Sequence, residues 1–293
     1  MVTEALRIPP SVERGTAPIE PPRVGGMEGL CSLVTGGGSG IGLAAATRLA
    51  VDGSRVTICG RTEEKLLRAV AAIDAAAADR ARGAVVPARY VVADVTVEPL
   101  VEVAVRAAAD DYGRLDVLFA CAGGAHHMGP LVGADTDAVR ATVELNLIGS
   151  FLSVKHAAAA MRQAGGGSIV LMSSGAGHFP HRWLWAYGMA KAGIESLCAY
   201  AAEELGRDGI RVNAVRPGIV DDELMAPITA GGPLLDDYLA QMPLGRLGTV
   251  DDVAAAVRFL AGPESSWITG ECLAVDGGHH LRRGADYSLL FSS

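Results

Sequence analysis

The chain has 293 residues, half of them hydrophobic and a fifth charged, enough to bury a sizeable core in one large α/β domain or two small ones. Its net charge of −8 argues against nucleic acid or an acidic membrane as the main partner, since both need a basic face. The five cysteines are scattered, odd in number and free of any C-x-x-C pair, which excludes a disulfide framework and a zinc site and suits reduced thiols in the cytoplasm.

Residues 1–28 combine charge with Pro9-Pro10 and Pro21-Pro22 and show no regular period, so a disordered or loosely docked arm is expected. Glu4, Arg7, Pro9 and Pro10 break up any secretory h-region. No apolar stretch approaches the roughly 20 residues needed to cross a bilayer, so a cytoplasmic protein without a membrane partner is expected. From Leu30 onward the character changes. Strands are predicted at Leu30–Thr35, Arg55–Cys59, Arg89–Ala93, Val117–Ala120, Ser168–Met172, Arg211–Val215 and Cys272–Val275. Helical periods run over 41–52, 62–78, 97–112, 136–162, 186–206 and 249–261. This alternation predicts an α/β fold, a Rossmann-like doubly wound parallel sheet of about seven strands with helices on both faces. One domain is expected over 29–281, followed by a tail at 282–293. Within it, 221–248 reads as one long irregular segment with Pro227, Gly231, Gly232, Pro233 and Pro243, a length typical of an active-site lid.

The first strand runs into Thr35-Gly36-Gly37-Gly38-Ser39-Gly40-Ile41-Gly42, directly before a helix. Glycines there permit a tight turn and close approach of backbone to a pyrophosphate at the positive end of the helix. About 20 residues on, at the end of the second strand, a carboxylate would accept from a ribose 2′-hydroxyl and repel a 2′-phosphate. The chain instead has Cys59-Gly60-Arg61-Thr62, and the planar fork of Arg61 suits a phosphate. NADP(H) is therefore expected in preference to NAD(H).

Tyr187-Gly-Met-Ala-Lys191 places a phenol and an ammonium on one helix face. A phenol is a poor base at neutral pH, and a nearby cation should favour its phenolate. Ser174 lies at the end of the strand Ser168–Met172, and Asn146 sits inside an earlier helix.

With Asp94, Cys121-Ala122-Gly123-Gly124, Pro217-Gly218 and the closing Ile268-Thr-Gly to Gly278 run, these motifs stand in the order of the short-chain dehydrogenase/reductase family, which the chain resembles over about residues 29–281. The resemblance implies that Tyr187 is the general acid/base and Ser174 the donor to the substrate carbonyl. It also implies that Lys191 holds the nicotinamide ribose and lowers the tyrosine pKa, and that Asn146 anchors a water in a proton relay. Gly36, Gly38, Ser39, Gly40, Ile41, Gly42, Arg61, Thr62, Ala122 and Gly123 would line the nucleotide. Asp94 and Val95 would flank the adenine, and the backbone from Pro217 and Gly218 to Val220 would meet the nicotinamide. Two positions depart from the family pattern. Ala120-Cys121 replaces the usual Asn-Asn, implying changed packing. Asp222 stands where Thr commonly bonds the carboxamide, which leaves the lid orientation open.

On the substrate side, the stretch containing His178, Trp183 and Trp185 reads as a pocket wall for a bulky apolar ketone or alcohol, or equally as a subunit contact or local packing. Gly124 and Leu224 are placed beside it. His126-His127 and His279-His280 have no arranged acidic partners, so no metal site is expected. The stripe Ile194, Leu197, Ala201 and Leu205 permits close helix packing. Family members commonly pair such helices across a twofold, so a homotetramer, or a dimer, is expected, with Leu289-Leu290-Phe291 docking on a neighbouring subunit. The leading reading is an NAD(P)-dependent dehydrogenase/reductase of a small-molecule ketone or secondary alcohol. The alternatives are a 3-oxoacyl thioester (acyl-carrier or CoA) reductase and a non-catalytic dinucleotide-binding protein.

Overall fold

The computed structural model describes residues 26–80, 86–109, 113–223 and 225–291, so most of the N-terminal arm and the lid residue Leu224 lie outside the described residues. Seven strands form one sheet: β1 (Cys31–Thr35), β2 (Arg55–Gly60), β3 (Arg89–Val92), β4 (Val117–Ala120), β5 (Gly167–Met172), β6 (Ile210–Pro217) and β9 (Cys272–Val275). Their order is β3-β2-β1-β4-β5-β6-β9, with every pairing parallel. Strand order reverses between β1 and β4, and in such sheets a crevice opens there beyond the carboxyl ends of the strands.

Parallel strands covered on both faces must be apolar throughout, and β1 and β4 are buried at every position. On one face α1 (Gly40–Val51), α2 (Glu63–Arg80) and α10 (Val250–Ala261) set Leu49, Ile73 and Val257 against Val34, Ile58 and Phe119. On the other, α3 (Glu98–Ala109), α5 (Gly149–Ala164) and α7 (Trp185–Leu205) set Val105, Met161 and Ile194 against Leu33, Leu118 and Ile169. The fold is the expected doubly wound sheet. Among the described residues no helix is long and apolar enough to cross a membrane.

Four local expectations change. Met27, assigned to the loose arm, is fully buried, and its N–H donates to the Asp52 carbonyl at 2.7 Å. The single helix over 136–162 is broken into α4 (Thr136–Val143), a π-turn (Glu144–Ile148) and α5. The segment 221–248, expected as a lid, is not irregular. It holds α8 (Ala226–Thr229) and α9 (Pro233–Gln241), and it is anchored by the two-residue pairing of β7 (Val220–Asp221) with β8 (Gly248–Thr249). Pro233 suits the first turn of α9 because its missing N–H has no helical partner to lose. Finally, Ile194, Ala201 and Leu205 are buried against the chain's own sheet rather than turned outward.

Candidate active site

The carboxyl ends of β1, β2, β3 and β4 build the half of the crevice suited to a nucleotide. Gly36 has φ +68°, and a Cβ there would stand 2.9 Å from the Ala122 Cα; on Gly42 it would stand 2.3 Å from the Gly36 carbonyl oxygen. The turn therefore packs between α1 and the β4 end only without side chains. Thr35 Oγ1 fixes that β4 end by accepting from the N–H groups of Cys121 and Ala122 at 3.1 and 3.2 Å. Ser39 makes no side-chain cap at the start of α1, and a recess of about 350 Å³ beside it is lined by Gly38, Ser39, Gly40, Lys65, Arg68 and Glu223. Backbone N–H groups and the helix dipole there suit an anion. Arg61 and Thr62 are exposed just beyond β2. Asp94 is held by Thr96, whose N–H and hydroxyl donate to Oδ1 at 2.9 and 2.8 Å. The Val95 side chain does not reach the crevice, being buried against Gly149 in α5, so only its backbone could flank an adenine. Val220 is likewise turned into the core and paired with Gly248, whereas Pro217 and Gly218 stand at the β6 end.

The acidic lid start lies across this recess. Asp222 accepts from the Met225 N–H at 2.8 Å through Oδ1, and its Oδ2 stands 2.8 Å from where a Cβ on Gly40 would lie. Glu223 pairs with Lys65 at 3.3 Å. Cradle and helix end thus fit a dinucleotide, with one carboxylate standing where a phosphate would be attracted.

The ends of β4 and β5 meet α7 and the π-turn in a second cluster. The π-turn inserts an extra residue that turns Asn146 inward, where it is fully buried. Its Nδ2 donates to the carbonyls of Gly124 and Thr142, both at 2.7 Å, and its Oδ1 accepts from the Gly124 N–H at 3.2 Å. Gly124 is thereby engaged with Asn146 through both backbone groups. A Cβ on Gly123 would meet Asn146 Oδ1 at 2.6 Å and Lys191 Nζ at 3.2 Å, so this glycine overlies both side chains. Lys191 is buried, donates to the Met172 carbonyl at 2.8 Å and lies 5.3 Å from the centre of the Tyr187 ring. Ser174, two residues beyond the end of β5, accepts from the Ala176 N–H at 3.3 Å and lies near enough to the Tyr187 phenol to influence its proton.

Electrostatics departs from expectation at the tyrosine. Burial pushes the Tyr187 phenol above its ordinary range, the nearby Ser174 hydroxyl partly opposing it, and Lys191 does not reverse the direction. Burial also lowers the Lys191 ammonium to about 8. The Cys121 thiol, pushed up to about 12 by burial, lies close enough to Lys191 and Asp222 to feel both charges.

Sequence reasoning missed two further parts. Glu195, one turn beyond Lys191, accepts from Ser173 at 2.8 Å and from Arg216 Nε and Nη2, both at 2.7 Å, which braces the β5 end beside Ser174. The helical spacing from Lys191 was the available signal. The substrate side is also built differently. His178 is exposed, and it is His181 that turns inward beside Phe179, His279, Tyr238 and Tyr287. Trp183 adopts φ +69°, lies under the Arg182 guanidinium at 5.5 Å and packs on the lid. The C-terminal tail docks on its own chain: Ala285 and Tyr287 are buried and Leu289 packs beside Leu234 and Tyr238. No short-range pattern announced that contact.

Comparison with known proteins agrees with this geometry. A family model described as Enoyl-(Acyl carrier protein) reductase matches residues 36–280. The chain is 40% identical over 248 residues to a cis-4-hydroxycyclohexanecarboxylate dehydrogenase of Sinomonas cyclohexanicum, covering 85% of this chain and 95% of that protein. It is 35% identical over 254 residues to a 2,5-dichloro-2,5-cyclohexadiene-1,4-diol dehydrogenase of Sphingobium indicum, covering 86% and 96%. A solved short-chain type dehydrogenase/reductase from Mycobacterium ulcerans superposes with a TM-score of 0.87 at 42% identity, covering 90% and 94%. The chain belongs to the short-chain dehydrogenase/reductase family and is an oxidoreductase acting on CH–OH groups and their ketones.

Proposed function

We propose that the chain interconverts a cyclic secondary alcohol and its ketone, with NADP(H) preferred over NAD(H). The observation that carries the reading is the convergence of Ser174, Tyr187, Lys191 and Asn146 beside the glycine turn at the switch point of the sheet. The ring-alcohol class is supported by the similar proteins named for ring-borne hydroxyls. The nucleotide preference is supported by Arg61 at the β2 end, where no carboxylate stands.

When bound, the nicotinamide supplies or accepts the hydride. Tyr187 holds the proton that moves to or from the substrate oxygen, and its raised pKa keeps it protonated, ready for ketone reduction. Ser174, already accepting from Ala176, would turn its O–H to the same oxygen as negative charge develops there. Lys191 presents a buried cation beneath the tyrosine ring for a ribose hydroxyl. Asn146 has both side-chain ends tied to Gly124 and Thr142, which fixes the π-turn that a relay water would use. We also propose a cytoplasmic homotetramer. Five free thiols suit the cytoplasm, and the outer faces of α5 and α7 leave Phe151, Met189 and Tyr200 exposed for a partner subunit.

A panel of cyclic and acyclic alcohols, ketones and 3-oxoacyl thioesters, followed at the nicotinamide absorbance with NADPH, NADP+ and their NAD counterparts, tests the reading. Fastest turnover of ring alcohols or ketones with the phosphorylated nucleotide is expected. Preference for thioesters, or for NADH, would overturn the corresponding part.

A further inference from the structure

The chemistry above uses one phenol, yet two more lie beside it. Tyr238 on α9 and Tyr287 in the closing 3-10 turn (Tyr287–Phe291) are 4% and 3% exposed, and their hydroxyls meet at 2.9 Å. The segments that carry them are strapped together. Arg283 pairs with Asp237, the Asp286 N–H donates to Asp237 at 3.0 Å, and the Tyr287 N–H donates to the Arg182 carbonyl at 3.2 Å. Both phenols belong to an apolar group containing Leu184, Ile219, Leu234 and Met242, and the Tyr187 ring packs against that same group. The three tyrosines therefore pack on one apolar cluster beside the start of α7.

Two phenols hold two O–H donors, and their mutual bond uses one. Among the described residues neither hydroxyl has another hydrogen-bond partner, so one hydrogen is left for an oxygen that the protein does not provide. A buried donor without an acceptor is unfavourable, and a ligand oxygen would relieve it. The surroundings are uncharged. His181 lies 6.0 Å from the Tyr238 ring and 6.4 Å from the Tyr287 ring, and His279 lies 5.4 Å from Tyr238. Burial lowers both imidazoles, His181 to about 4, so both are neutral at pH 7. Nearby charges are matched within their own pairs, Asp237 with Arg283 and Asp286 with Arg182.

We propose that the Tyr238–Tyr287 pair is a specificity element that hydrogen-bonds a second, uncharged oxygen on a cyclic alcohol or ketone whose reacting carbon lies at Tyr187. The proposal rests on the dehydrogenase reading above and narrows it to substrates with a remote hydroxyl, carbonyl or ether. A carboxylate at that position would lose its water with no cation to replace it.

The test compares wild type, Tyr287→Phe and Tyr238→Phe in oxidation of cyclohexanol, cyclohexane-1,4-diol and 4-hydroxycyclohexanecarboxylate, with nucleotide Kd measured separately by fluorescence. Wild type is expected to favour the diol over cyclohexanol by at least about tenfold in kcat/KM, and to favour it over the carboxylate. Each Phe variant should move the diol-to-cyclohexanol ratio towards one while nucleotide Kd stays put. A ratio that neither variant changes, at normal turnover, or a wild-type preference for the carboxylate, overturns the phenol pair alone. Absence of turnover of all three compounds by wild type, with nucleotide still bound, overturns the ring-alcohol reading and this proposal with it.

Discussion

The two halves of the crevice are made of different material. The half proposed for the nucleotide is backbone: glycines that admit no Cβ, the uncapped start of α1 and short contiguous strand ends. The half proposed for the substrate is side chain: Phe179, His181, Tyr238, His279 and Tyr287 are drawn from a turn, α9, the turn after β9 and the tail, and interlock through ring contacts. A backbone site is rigid and recognises charge and close approach. A side-chain site changes its selectivity with single substitutions while the backbone site keeps its ligand. Tyr187 and Lys191 stand on the border and should affect chemistry more than binding in either half.

The strongest test of that division is Tyr187→Phe. Turnover should fall by about a thousandfold or more, the scale of a lost general acid, while nucleotide Kd changes by less than about twofold. Substantial residual activity would break the border assignment.

Lys191→Met should lose activity yet stabilise the fold. Burial lowers the ammonium from 10.5 to about 8. Below about pH 8 both folded and unfolded chains carry the proton, so the full cost of burying the charge is present. Between about 8 and 10.5 the folded chain releases it first, and stability rises with pH. The shift corresponds to up to roughly 3 kcal/mol at pH 7. Denaturant melts from pH 7 to 10 check the sign: wild type should gain stability across that window, and the Met variant should start higher and stay flatter.

Arg61→Ala addresses the nucleotide half alone. NADPH affinity should weaken by about tenfold, the value of one charge-assisted contact, with NADH affinity unchanged. Equal loss for both nucleotides would make Arg61 a general surface cation instead.

The smallest effect is expected at the lid. Asp222 stands over Gly40, where a pyrophosphate would be drawn, so Asp222→Asn should tighten nucleotide binding by roughly threefold through removal of like-charge repulsion. Weaker binding would mean that the carboxylate itself contacts the bound nucleotide.

The motifs of the proposed nucleotide half could be picked out in advance because their signals are local. The turn Gly36 to Gly42 and the run Cys59 to Thr62 each occupy a few consecutive residues, and strand ends follow from hydrophobic runs. The burial of the Val95 side chain was not legible, because which side of the β3 end packs on Gly149 depends on α5. The π-turn at Glu144–Ile148 leaves no mark in a hydrophobic period of 3.6, since one extra residue per turn is absorbed within the helix pattern. The tail was expected on a neighbour, and nothing within residues 282–293 names Asp237 and Arg182 as its partners.

By itself the amino-acid sequence determined the parallel doubly wound sheet, the glycine cradle and the spacing of Tyr187 and Lys191, because each depends on interactions between residues a few positions apart. Only the tertiary structure decided which of several histidines and tyrosines turn inward, and that burial governs the Tyr187 pKa more than Lys191 does. Desolvation and long-range packing are properties of the whole surrounding shell, and that shell is assembled from segments more than a hundred residues apart.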